Sequence, residues 1–125
     1  MHEVNSMDEY QEIIMGLITN SGIAKSKAME AISFAEKGNA EQAAECLEEC
    51  KNELVQAHKS QTRLIQQEAG GTAHEVTLLM VHAQDHLMSA ITTKDLARHI
   101  VELYSRLNRY EATVSITPLS GRNNQ

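Results

Sequence analysis

The sequence predicts an all-α protein, three long helices in an up-down bundle, on three observations. Ala, Leu, Ile, Met, Glu and Gln dominate a chain that has one proline, Pro118, and no tryptophan, a composition that favours helix. Apolar residues recur at three- and four-residue steps over long stretches, the period of a helix with one buried face. The breaks between those stretches, "KGNAEQA" and "AGGT", carry the glycines and cap residues that end one helix and begin the next. A length of 125 residues fits a single domain with a modest core.

The first helix is predicted over about residues 7–37, where Tyr10, Ile13, Ile14, Leu17, Ile18, Ala24, Ala28, Ile32 and Ala35 keep the period. "NSG" at Asn20 to Gly22 marks a candidate bend or interruption, because glycine weakens a helix interior. Gly38 suits the left-handed position that closes a helix, and Asn39 with Gln42 three residues on reads as a capping box. The second helix is predicted over about 40–68, with Ala43, Leu47, Cys50, Leu54, Ala57, Leu64 and Ile65 as its stripe. Gly70 stops it, and Thr72 with Glu75 repeats the start signal as T-x-x-E.

The third helix is predicted over about 73–110. Leu78, Leu79, Met80 and Val81 are consecutive, so at ~100° per residue they point all round the axis. A helix apolar on every side is buried on every side, and a lone three-helix chain leaves each helix an outer face. Burial against other subunits resolves this. The domain is thus read as residues 1–110. "EATVSITPLSGRNNQ", 111–125, loses the period and reads as a flexible or extended tail.

Eleven basic against seventeen acidic residues give a net charge of −6. That argues against a nucleic-acid binder, which needs a basic footprint, and against adsorption to anionic lipid. No run approaches the ~18 apolar residues of a membrane span. "MHEVNSMDEYQ" is too acidic and polar for a signal peptide, so a cytoplasmic protein is expected. Cys46 and Cys50 have no further ligands at metal-site spacing and read as two reduced thiols on one helix.

The chemistry concentrates in "LLMVHAQDHLM", Leu78 to Met88. On a helix His82 and His86 lie about 40° apart around the axis, and Asp85 about 60° from His82 on the other side. His82 follows the apolar run, so partial desolvation is expected, which keeps a ring nitrogen neutral and nucleophilic. The spacing alone leaves three uses open: a metal pair, a structural polar cluster, and a phosphoryl acceptor. "HAQDH" lacks the glutamate that serves as base in H-E-x-x-H metalloproteases. A second imidazole one turn away is placed to bond phosphate oxygens, whereas the Asp85 carboxylate repels them and suits a ring N–H or a hard cation. His2, His74 and His99 fall in no such constellation. The methionines read as core filling, or as a soft docking surface.

"TLLMVHAQDHLMSA" resembles the active-site segment of enzyme IIA of the lactose/cellobiose class in the bacterial phosphoenolpyruvate-dependent sugar phosphotransferase system (PTS). "IIMGLITNSGIAKSKAMEAI" is similar to that family's first helix and "AHKSQTRLIQQEAGG" to the end of its second, so the resemblance spans roughly Tyr10 to Leu107. It implies a homotrimer, a nine-helix bundle with the third helices innermost. His82 is then the phosphorylated histidine, loaded by phospho-HPr and discharged to a cysteine of enzyme IIB, which serves the membrane enzyme IIC. Asp85 is placed at the three-fold axis, where three copies share a Mg2+ ion. Gln84 and His86 match the motif as support. His58 and Gln61 match "AHxxQT" and line the site from the neighbouring helix, His58 having a plain structural alternative. The sugar expected is a β-linked disaccharide, cellobiose- or chitobiose-like before lactose. Two rival classes stand beside this: a non-catalytic helical oligomerisation module with a structural metal at Asp85, and a two-component phosphorelay domain.

Overall fold

The computed structural model describes residues 2–114. It contains α1 (His2–Glu36), α2 (Ala40–Ala69) and α3 (Leu78–Val114), which run up, down and up. Helix α1 packs along both partners, while α2 and α3 touch each other less. The core is a seam of Ile13, Ile14, Leu17, Cys50, Leu54, Leu64 and Leu87, interleaved with the alanines 24, 28, 57, 83, 90 and 97. Alanine at so many contact positions lets the helix backbones approach closely, at no cost in side-chain entropy.

The connections position the site. Gly38, at φ 83°, takes the left-handed conformation expected of it, and Asn39 Oδ1 accepts from the Gln42 amide at 3.2 Å to cap α2. At the far end the Gly70 amide donates to the Gln66 carbonyl at 2.9 Å. The left-handed residue there is Gly71, at φ 96°, and the Thr72 amide closes the turn onto the Gln67 carbonyl at 2.8 Å.

Four expectations need correction. Helix α1 already runs from His2 and passes through Asn20 to Gly22 without a break. Ser21 is wholly buried there, so packing overrides the weak local propensity. Helix α3 starts at Leu78 rather than 73, and its cap is Thr77, whose Oγ1 accepts from the Met80 amide at 3.2 Å. The Thr72 to Glu75 signal is not used as a helix start. That segment is held non-helical by Tyr10, whose hydroxyl donates to the Glu75 carbonyl at 3.0 Å. Finally, α3 continues past Tyr110 to Val114, with Glu111 buried and the Asn108 side chain reaching the Ala35 carbonyl at 3.5 Å. The rest of the expected tail, 115–125, lies outside the described residues.

Candidate functional site

The cap at Thr77 sets the phase of α3 and hence the direction of every side chain in "LLMVHAQDHLM". Ala83, Leu87, Ala90 and Ala97 face the other two helices and are buried. Leu78, Val81, Asp85, Met88, Thr92, Leu96, Leu103 and Tyr110 are exposed, and at ~100° per residue they share a sector of about 80° roughly opposite the buried face. Leu78 is 84% exposed, Met88 56% and Leu103 63%, so the outer face of α3 is a long, mostly apolar stripe, with Asp85, Thr92, His99 and Arg106 set in the same sector. Single exposed leucines need no explanation, but a contiguous stripe of them marks an interaction surface.

The histidines sit on the shoulder between the two faces. His82 is exposed and His86 partly buried. Their Nε2 atoms are 3.0 Å apart, and the rings meet edge to face with centroids 4.4 Å apart at 88°. In a neutral pair one ring donates its Nε2–H and the other accepts on a bare Nε2, so one imidazole presents a lone pair where the other presents a proton. The partial desolvation expected of His82 is not found in the single chain, because the apolar run before it is itself largely exposed. Asp85 points into the stripe, on the other side of His82.

Gln84 joins the site to α2. Its Oε1 accepts from Gln61 Nε2 at 2.8 Å, and its Nε2 lies 3.9 Å from Met80 Sδ. Gln61 thus meets the reactive segment of α3 through Gln84, which lies on the opposite flank of the helix from the histidine pair. His58, one turn earlier on α2, is exposed in the single chain. His74 falls in no constellation and reads from the sequence as solvated or structural; the structure gives it the second role, its ring stacking on Tyr10 with centroids 4.1 Å apart and its Nε2 bonding Gln67 Oε1 at 2.8 Å. Together with the bond from Tyr10 to the Glu75 carbonyl, this fixes the connection from which α3 and its histidines emerge. Cys46 and Cys50 are free and buried, and burial pushes both thiols up, so neither competes as a nucleophile near neutral pH. No group of three or more metal-ligating side chains exists within one chain among the described residues.

The family described as "PTS system, Lactose/Cellobiose specific IIA subunit" matches residues 12–105, which include α2 whole and the histidine pair. The chain belongs to that family. It is a PTS enzyme IIA component, and so part of a sugar phosphotransferase. The lichenan-specific phosphotransferase enzyme IIA component of Bacillus subtilis is 52% identical over 100 residues, covering 80% of this chain and 91% of that protein. The crystal structure of the cellobiose-specific enzyme IIA from Bacillus anthracis aligns with a TM-score of 0.78 at 46% identity, over 80% of this chain and 92% of that one. A solution structure of the chitobiose IIA in complex with HPr, from Escherichia coli, aligns with a TM-score of 0.70 at 37% identity, over 79% and 96%. Among the described residues of this IIA chain no helix is long and apolar enough to cross a membrane.

Proposed function

We propose that this chain is a cytoplasmic phosphocarrier that takes a phosphoryl group from phospho-HPr onto His82 and gives it to the cysteine of an enzyme IIB, for uptake through IIC of a β-linked disaccharide of the cellobiose or chitobiose kind. The observation that carries the reading is the exposed His82 ring, with a second imidazole held 3.0 Å from its Nε2, inside the segment that matches the family. With Nε2 as the accepting nitrogen, its lone pair forms the new P–N bond while the bond to the donor breaks and the donor keeps its electron pair. Phosphoryl transfer asks mainly for position and charge compensation. His86 supplies the second by turning its ring N–H from His82 to a phosphoryl oxygen. Gln61 supplies the first through Gln84, tying the reactive turn of α3 to α2.

The outer stripe of α3 suits self-association into a homotrimer with the third helices innermost. In that arrangement Asp85 of each chain reaches the axis. Carboxylate oxygens from three copies fit a hard cation such as Mg2+, whose contribution is neutralisation of crowded charge rather than any part in transfer. The names of the similar proteins, lichenan-, cellobiose- and chitobiose-specific, support the sugar class.

The test is intact mass after incubation with phosphoenolpyruvate, enzyme I and HPr. One acid-labile phosphate per chain is expected on the native protein and none on His82→Ala, whose helical circular dichroism should be unchanged. His86→Ala should slow loading without abolishing it. Normal labelling of His82→Ala overturns the assignment, and no labelling of the native chain leaves the oligomerisation module as the better account.

A further inference from the structure

The bond between His82 and His86 has a second use. The hydrogen bond brings together the same two Nε2 atoms that a chelated cation would use, the cation sitting to one side of the line between them. At metal–nitrogen bonds of about 2.05 Å, the 3.0 Å separation corresponds to a nitrogen–metal–nitrogen angle of about 94°. That is close to the ~90° of octahedral and tetragonal sites, and an opening of about 0.3 Å reaches the tetrahedral bite. Both rings ride on one rigid helix, so the two ligands are already held together before an ion arrives. The exposure of His82 leaves the pair open to solvent.

We propose that His82 and His86 form a bidentate site for a late first-row divalent cation (Co2+, Ni2+, Cu2+ or Zn2+), and that the bound ion blocks phosphoryl uptake. Imidazole nitrogen selects these ions, whereas Mg2+ prefers oxygen, so the site differs in chemistry from any cation held by Asp85. With two ligands from the chain, water fills the other positions, and affinity is modest. Blocking follows because the ion occupies the nitrogen lone pair that would attack phosphorus. This second half rests on His82 being the phosphoryl acceptor; the binding half does not.

Cobalt(II) chloride is the probe, because its visible spectrum reports ligation and a thiolate contribution shows as a separate charge-transfer band. The native protein should take up one Co2+ per chain with no thiolate band. His82→Ala and His86→Ala should each weaken uptake on the order of tenfold or more, as a preorganised second ligand is lost. His99→Ala should bind as the native chain does. Uptake by both histidine variants at the level of the native chain, a thiolate band, or an equal loss in His99→Ala overturns the site. In the second arm, isolated phospho-HPr is the donor, so that enzyme I is not exposed to metal. Loading should slow with Co2+ or Zn2+ and not with equimolar Mg2+. Uninhibited loading of cobalt-saturated protein overturns the blocking step. Failure to load even without metal instead overturns the assignment of His82 and leaves the spectral result standing.

Discussion

Leu87 and Met88 are neighbours in sequence and opposites in structure. Leu87 is fully buried among alanines against the other helices, while Met88 is 56% exposed. The same contrast runs the length of α3. Its inner face is mostly small (Ala83, Ala90, Ala97) and its outer face large and apolar (Val81, Leu96, Leu103, Tyr110). A monomer gains nothing from this arrangement, because the large side chains contribute apolar burial only when covered. Small residues inside bring three helices of one chain close together. The large ones outside stay exposed in the single chain, and the proposed trimer would cover them. The histidine pair lies where the two faces meet, so its ring nitrogens belong to neither face.

The largest effect should come from charging the outer face. Light scattering of the native chain at micromolar concentration should give about three times its 13.9 kDa, and Leu103→Asp should reduce that to a single chain. A native protein that is monomeric breaks the comparison, leaving the stripe without a use. Next is the inner face. Leu87→Ala should destabilise the fold by about 2–5 kcal/mol, from lost burial plus the cavity left behind. Met88→Ala should leave the stability of a dissociated chain almost unchanged and instead make melting depend more steeply on protein concentration. Equal losses at both positions in denaturant titrations would show that the two faces do not differ.

Asp85 sharpens the contrast in charge rather than volume. Chelation with EDTA should lower the melting temperature near neutral pH, and less in acid, where carboxylates are protonated anyway. Asp85→Leu should remove that sensitivity and leave the assembly as stable or more so, since replacing crowded carboxylates by apolar volume is often favourable. A shift of equal size in both proteins means that Asp85 is not the ligand. The smallest effect lies in the core. Burial holds the Cys50 thiol above the ordinary value of 9.0, against the pull of Lys94. A raised thiol favours the folded state at lower pH. Its contribution is complete below the unfolded value and lost as pH rises through the folded one. Stability should therefore fall above pH 9, and Cys50→Ala should flatten that fall in melting curves taken across alkaline pH.

Local signals were legible in the sequence wherever the chain answers only to itself. The three helical periods, the left-handed Gly38, the Asn39 cap and the spacing that brings His82 and His86 together all follow from neighbours within one or two turns. The apolar run at Leu78 to Val81 also declared in advance that one chain cannot bury it. What the sequence misread is what distant residues decide. "T-x-x-E" at Thr72 is a sound cap pattern, but Tyr10, 65 residues before Glu75, takes that carbonyl and stacks on His74, so the helix waits for Thr77. Gly22 weakens α1 locally, yet the buried turn around Ser21 is held by its neighbours in the bundle. The end of α3 lacks helical period in "EATV", but Asn108 and Glu111 are packed, and the helix goes on. Gln61 and Gln84 each match a motif, but only the packing of α2 on α3 makes them a hydrogen-bonded pair. Propensity and capping are energies of about 1 kcal/mol or less per residue, written in adjacent letters. Burial of a side chain is worth more and depends on which surfaces meet, so tertiary structure sets the helix ends and the neighbours of the site.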